Sequence, residues 1–137
     1  MGTEMNKEIV TRYYVEVLMN RDFKVFEAIF APDFTAYGPS GHTVNLSGYL
    51  DSIKASHGAF PDLKVIIEDQ IGEGDKVVTR WTAQGTHQGA YFGIPATGKE
   101  LVISAIHIHR LKNGLLEELW EQINIFGALQ QLGAIPK

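Results

Sequence analysis

His107 and His109 are separated by a single residue, and so are Glu118, Trp120, Gln122 and Asn124 in turn. Side chains alternate faces along a β-strand, so each set projects from one side of its strand. An imidazole changes charge near neutral pH and can move protons. A carboxylate accepts protons, whereas an amide donates hydrogen bonds without being a base. Together these types suit proton transfer in the wall of a pocket. The two histidines could instead form a metal pair, with His87, Glu118 or Asp69 as a third ligand. No compact ligand motif accompanies them, so the expected site uses no metal.

Asp69 alternates with Leu63, Val65, Ile67 and Ile71. A carboxylate on an apolar face must be paired, hydrogen-bonded or partly neutralised. It is therefore either a strand-end residue that accepts turn amides or an acid of the pocket. Arg80 and Trp81 are adjacent and face opposite ways, with Trp81 the better candidate for core. Trp120 shares its face with polar residues and reads as a pocket wall or an interface.

These residues need strands to carry them. Leu101 to Leu111 and Leu115 to Phe126 read as the arms of a long antiparallel hairpin, with Asn113-Gly114 between them. Asn-Gly accepts positive φ at both turn positions and is among the strongest hairpin signals. A two-residue turn sets His107 opposite Trp120 and His109 opposite Glu118. A three-residue turn, Lys112-Asn113-Gly114 with a bulge, sets Ile106 opposite Trp120 and Arg110 diagonal to Glu118. The sequence leaves both registers open.

Upstream, Ile9, Val10, Tyr13, Tyr14, Val17 and Leu18 have helical spacing over Asn6 to Met19. Asp22 is a candidate N-cap for a second helix bearing Phe23, Phe26, Ile29 and Phe30 and ending at Pro32-Asp33. Phe34 to Tyr37 reads as a short strand closed by Gly38-Pro39. Ser40 to Leu46 reads as a loop, and Ser47 as the cap of a third helix running to Ala59. From Leu63 the period becomes two: strands over 63–71 and 76–84, a Gly- and Pro-rich loop over 88–98, then the hairpin. A short helical turn stops at Pro136. Helices first and antiparallel strands after indicate an α+β fold, with three N-terminal helices on one face of a curved sheet.

The 137 residues suit one domain, with 45% apolar and 20% charged side chains, and the net charge of −4 argues against nucleic acid as a partner. No cysteine is present, so thiol and disulfide chemistry are excluded. No run is apolar enough to span a membrane and the N-terminus lacks a signal-peptide core, so the expectation is a soluble cytoplasmic protein.

Gly85-Thr86-His87-Gln88-Gly89 matches no phosphate loop. With Phe92-Gly93-Ile94-Pro95-Ala96-Thr97-Gly98-Lys99, however, it resembles the signature of SnoaL-like polyketide cyclases, also called ester cyclases. Phe60 to Leu63, Glu73 to Val78, Gly114 to Trp120 and Gln130 to Gly133 are similar to that family at the expected places. The resemblance covers nearly the whole chain. It implies the nuclear-transport-factor-2-like cone, a curved antiparallel sheet around a central pocket, and a hydrophobic small-molecule ligand. In characterised cyclases of the family an Asp four residues after the Trp removes an acidic α-proton from a polyketide ester. The enolate closes a ring, and no metal or organic cofactor takes part. Here that position is Asn124, and Tyr37 stands in place of a His that many members carry. An amide cannot take the proton, so weak aldol cyclase activity is expected. Acid-base chemistry then falls to His107, Asp69 or Glu118. Tyr37, Arg80, Trp120, Gln122, Glu118 and His109 are the candidates for holding substrate, with Asn124 as an oxyanion donor.

Three functions follow. The first is a cofactor-free cyclase, isomerase or lyase acting on a hydrophobic carbonyl compound. The second is a binding module that keeps the pocket alone. The third is a hydrolase that activates water through Asp69, Asn124 and Arg80. An exposed apolar strip of Leu119, Ile123 and Ile125 on the last strand points to a homodimer or higher homo-oligomer.

Overall fold

The structure, a computed structural model, describes residues 2–38 and 41–136. Pro39 and Ser40, expected at the end of the first strand and the start of a loop, lie outside the described residues. Helix α1, Thr3–Arg12, runs directly into a π-helical stretch, Tyr13–Met19, which buries Tyr13, Tyr14, Val17 and Leu18. Asp22 caps α2, Phe23–Ile29, by accepting from the backbone N–H groups of Lys24 and Val25. Strand β1 follows at once, Phe30–Tyr37, and contains Pro32 where its pairing is irregular. Then come β2, Thr43–Asn45, and α3, Leu46–Ala59. Asn45, rather than Ser47, caps α3, its side chain accepting from Gly48 N–H at 2.9 Å. The remaining elements are β3, Lys64–Glu73; β4, Lys76–Thr86; β5, Glu100–Lys112; β6, Leu115–Ile123; and α4, Ile125–Gln131.

The sheet has the order β2-β1-β6-β5-β4-β3. Every pairing is antiparallel except that of β1 with β6, so the sheet is mixed as well as curved and unclosed. The helices α1 to α3 pack in its concavity. Val10, Tyr14, Val17, Phe26 and Phe34 meet Val77, Leu116 and Leu119 in the main core. A smaller cluster of Phe60, Leu101, Ile103, Ala128 and Leu132 seals the end beneath α4. Each such side chain contributes roughly 1.5–3 kcal/mol on burial.

Two single-residue bulges decide which side chains face inward. At the tip of the long hairpin the turn is Asn113-Gly114 and Lys112 pairs with Leu115, as a two-residue turn requires. The register then shifts, because Arg110 pairs with Glu118 while Leu111 pairs with Leu116, leaving Glu117 as an extra residue in β6. Beyond the bulge His107 opposes Glu121 and Ile108 opposes Trp120. The two-residue turn is therefore found with its expected pairing at the tip, while the partners expected for His107, His109 and Trp120 in either register are corrected by the bulge. In β3 Ile67 pairs with Trp81 but Asp69 pairs with Arg80, so Glu68 is the extra residue. Asp69 and Ile71 thereby leave the face of Val65 and Ile67.

Candidate active site

His107 sits mid-strand in β5, between Thr79 of β4 and Glu121 of β6. It is almost completely buried, with the ring of Tyr14 stacked on it at 5.8 Å and Trp81 edge-on at 5.0 Å. Its Nε2 lies 2.7 Å from Glu121 Oε2, and its Nδ1 lies 2.7 Å from the Tyr14 hydroxyl. In the neutral ring Tyr14 O–H donates to Nδ1, and the ring proton on Nε2 goes to the carboxylate. In the charged ring Nδ1–H donates to the phenol oxygen instead. Either protonation state keeps both bonds. Burial, then the neighbouring Tyr13, hold the Tyr14 phenol well above its ordinary range, so it remains protonated.

Burial raises the proton affinity of Glu121. The hydrogen bond and charge attraction of His107 outweigh that effect, and the carboxyl sits below the usual glutamate range. Its side chain is 27% exposed, whereas that of His107 is 1% exposed, so Glu121 is the open end of this line. Glu121 stands where two lobes of a cleft meet. The deep lobe, about 370 Å³, is lined by Tyr13, Ile53, Phe60, Val65, Trp81 and His107 among others. The wide lobe, about 520 Å³, is lined by Ala36, Tyr37, His42, Val44, Leu119 and Ile125. Tyr49, Ser52, Phe92, Glu121 and Ile123 line both.

Phenols surround the carboxylate. Tyr13 and Tyr49 are buried with their hydroxyls bonded to each other. One such bond uses one of two O–H protons, so the pair retains a donor for a third oxygen. Burial raises both pKa values, and the charge of Glu121 raises them further. Tyr91 is pushed up to about 12 by burial and by Glu121.

Of the residues expected in the pocket, His107 is there, and Tyr37 touches only the rim of the wide lobe, its ring and hydroxyl being turned to Trp120 and Glu118 on the outer side of the sheet. His109 is wholly buried one step deeper, edge-on to Tyr13 at 5.5 Å, with no partner among the described residues for either ring nitrogen. Burial, then the charge of His107, push its pKa far down, so it is a neutral core residue. Trp120, Glu118 and Gln122 face the outer side of the sheet. Trp120 stacks on Tyr37 at 5.4 Å, and Glu118 accepts from Arg110 Nε at 2.6 Å and from the Tyr37 hydroxyl at 2.8 Å. Asp69 and Arg80 form an exposed outer pair. Asn124 leaves the strand altogether: it caps α4, accepting from Gly127 N–H at 2.9 Å. The expected constellation of Asn124, Trp120, Asp69 and Arg80 is thus not assembled in the cleft: the bulge at Glu117 turns Trp120 outward, the bulge at Glu68 turns Asp69 outward beside Arg80, and Asn124 caps a helix. The expected apolar strip is corrected likewise. Leu119 is fully buried and Ile123 lines the cleft, while Ile106 and Val102 are exposed on the outer face.

Glu121, Tyr13, Tyr14 and Tyr49 were not singled out from sequence. The available signal was chemical: a buried histidine in mid-sheet needs a polar residue directly across, and Glu121 is the carboxylate one residue from Trp120.

The signature loop has a structural task. His87 Nδ1 accepts from the Thr97 backbone N–H at 3.2 Å and pairs with its hydroxyl at 2.9 Å, while His87 N–H donates to Lys99 O at 2.8 Å. Gln88 and Gly89 donate to Ala59 O at the end of α3. A Cβ at Gly89 would lie 2.6 Å from Gly58 O, so only glycine allows this crossing. The clasp holds Tyr91 and Phe92 over the cleft.

A curved mixed sheet wrapped around a helix-covered pocket, open at the carboxylate, is the nuclear-transport-factor-2-like architecture. The sequence profile of the SnoaL-like polyketide cyclases matches residues 8–132, and the chain belongs to that family. Among solved structures it is similar to AclR of Streptomyces galilaeus, described as a candidate hydroxylase. That match has 25% identity and a TM-score of 0.89, over 99% of this chain and 85% of the other. It is also similar to IdmH of Streptomyces antibioticus, a candidate polyketide cyclase, with 26% identity and a TM-score of 0.83 over 93% and 98% of the two chains. A candidate polyketide cyclase of Acidithiobacillus ferrooxidans matches at 28% identity and TM-score 0.83, over 98% and 99%. No curated protein matches the chain in sequence.

Proposed function

We propose that this protein binds a hydrophobic carbonyl compound in the two-lobed cleft and moves a proton on it without a cofactor, with Glu121 as general base. One observation carries the reading: a carboxylate open to a largely apolar cleft, its inner oxygen held by a buried histidine that is held in turn by Tyr14. Glu121 takes a proton from the carbon next to the carbonyl. The electrons of that C–H bond form the enolate, and the Tyr13–Tyr49 pair donates to its oxygen. Return of the proton to another carbon gives isomerisation. Attack of the enolate carbon on a second carbonyl gives ring closure, the Glu121 carboxyl returning its proton to the new alkoxide oxygen. Family membership supports both outcomes.

The test reads proton abstraction directly. Exchange of α-protons of 2-tetralone into deuterated water, followed by nuclear magnetic resonance, should be accelerated by the wild type. Glu121→Gln should lower the accelerated rate by about 10²–10⁴-fold. Retention of the full rate in Glu121→Gln would remove Glu121 from the reaction. Binding of 2-tetralone by the wild type without accelerated exchange would favour a binding module. Asp69, Arg80 and Asn124 do not line the cleft, so nothing in the geometry favours the water-activating hydrolase.

The outer sheet face supports self-association of this protein as a homo-oligomer. Val102 is 45% exposed and Ile106 46% exposed on the central strand of that face.

A further inference from the structure

Tyr91 and Ile94 exchange both backbone hydrogen bonds, at 3.0 and 2.9 Å, with Phe92-Gly93 as the two-residue turn between them. Phe92 has φ 51 and Gly93 φ 74. Asn113-Gly114 makes the same kind of turn in the long hairpin, with φ 52 and 78. The chain therefore holds two copies of one backbone geometry, one begun by the residue it favours and one by an aromatic. Asn tolerates the left-handed region, whereas a bulky side chain there is strained. The Phe92 ring meets that of Tyr91 at 4.3 Å within the loop, yet the residue stays 49% exposed, so this one contact leaves much of its apolar surface uncovered. The same residue lines both lobes of the cleft, as Glu121 does. The turn is clasped at its base by His87, Thr97 and Ala59, so its tip is carried on a fixed stem.

We infer that Phe92 retains bound ligand in the cleft: its ring, held in a strained turn, forms a wall shared by the two lobes. The inference rests on the cleft being the ligand site, and not on Glu121 being the base. A ligand spanning both lobes lies against this residue. The strained tip costs stability that the turn would recover with Asn, and what the strain obtains in exchange is aromatic cover over the ligand.

The variant Phe92→Asn keeps the turn, relieves the strain and removes the ring. Prodan, a neutral fluorescent naphthyl ketone, reports occupancy by its emission, and stopped-flow dilution gives its release rate. Phe92→Asn should release prodan about tenfold faster than wild type, with a thermal midpoint equal to or above that of wild type. Phe92→Tyr, which keeps both ring and strain, should release it at the wild-type rate. Equal release from Phe92→Asn and wild type overturns the inference. So does a lowered midpoint in Phe92→Asn, which would make the ring a packing residue. The Phe92 variants keep Glu121, so their prodan release is read independently of α-proton exchange in Glu121→Gln, which bears on the base alone. Failure of the wild type to bind prodan overturns the inference and the cleft reading together.

Discussion

Replacing Tyr14 with Phe tests the line of groups behind Glu121. The substitution removes one oxygen from a fully buried ring that stays stacked on His107. It leaves His107 Nδ1 without its 2.7 Å partner in a site closed to water. An orphaned buried polar atom costs about 1–3 kcal/mol, which lowers the midpoint of a domain this size by roughly 3–12 °C. A packing defect could produce the same loss, so the discriminating measurement is a double-mutant cycle with His107→Phe, read by denaturant unfolding. In the His107→Phe background the ring nitrogen is absent and the Tyr14 hydroxyl keeps only its hydrogen bond to Thr79. Tyr14→Phe should then cost less than in the wild type, giving a coupling of about 1–3 kcal/mol. A Tyr14→Phe cost equal in both backgrounds, within about 0.5 kcal/mol, would refute a bond from Tyr14 to His107.

The Glu121 carboxyl is depressed below its ordinary range, so its stabilising pair with His107 is fully present above the unfolded-state glutamate pKa. It is lost as pH falls through the lower folded value, and unfolding midpoints measured against pH should show this loss shrink in Glu121→Gln. The acid limb of the 2-tetralone exchange rate should lie below the usual glutamate range, and His107→Phe should move it upward because burial then acts alone. Asn124→Asp should change exchange less than about twofold, since aspartate caps helices as well as asparagine does; a large gain would place the carboxylate in the reaction. Ile106→Glu on the outer face should shift light scattering toward the monomer, and an unchanged mass would move the contact elsewhere.

Periodicity and turn chemistry made much of this fold legible in the sequence. The Asp22 cap, the Asn113-Gly114 hairpin, the change from helical to alternating spacing at Leu63 and the signature around His87 are all local signals, carried within a few residues. His107 was legible too, as a histidine amid strand apolar residues. Its partner was not. Which residue opposes it depends on the extra residue Glu117, and the face taken by Asp69 depends on the extra residue Glu68. Nothing local marks either bulge, because each glutamate is acceptable in an ordinary strand. A bulge is selected by the curvature of the whole sheet and by what that curvature buries: Leu119 inward rather than Trp120, and Glu121 against His107 rather than Gln122. Since side chains alternate with a period of two, one added residue exchanges the inside of a strand for its outside. The residue types of the site could be read along the chain, but their meeting was decided only by the closed packing of helices within the sheet.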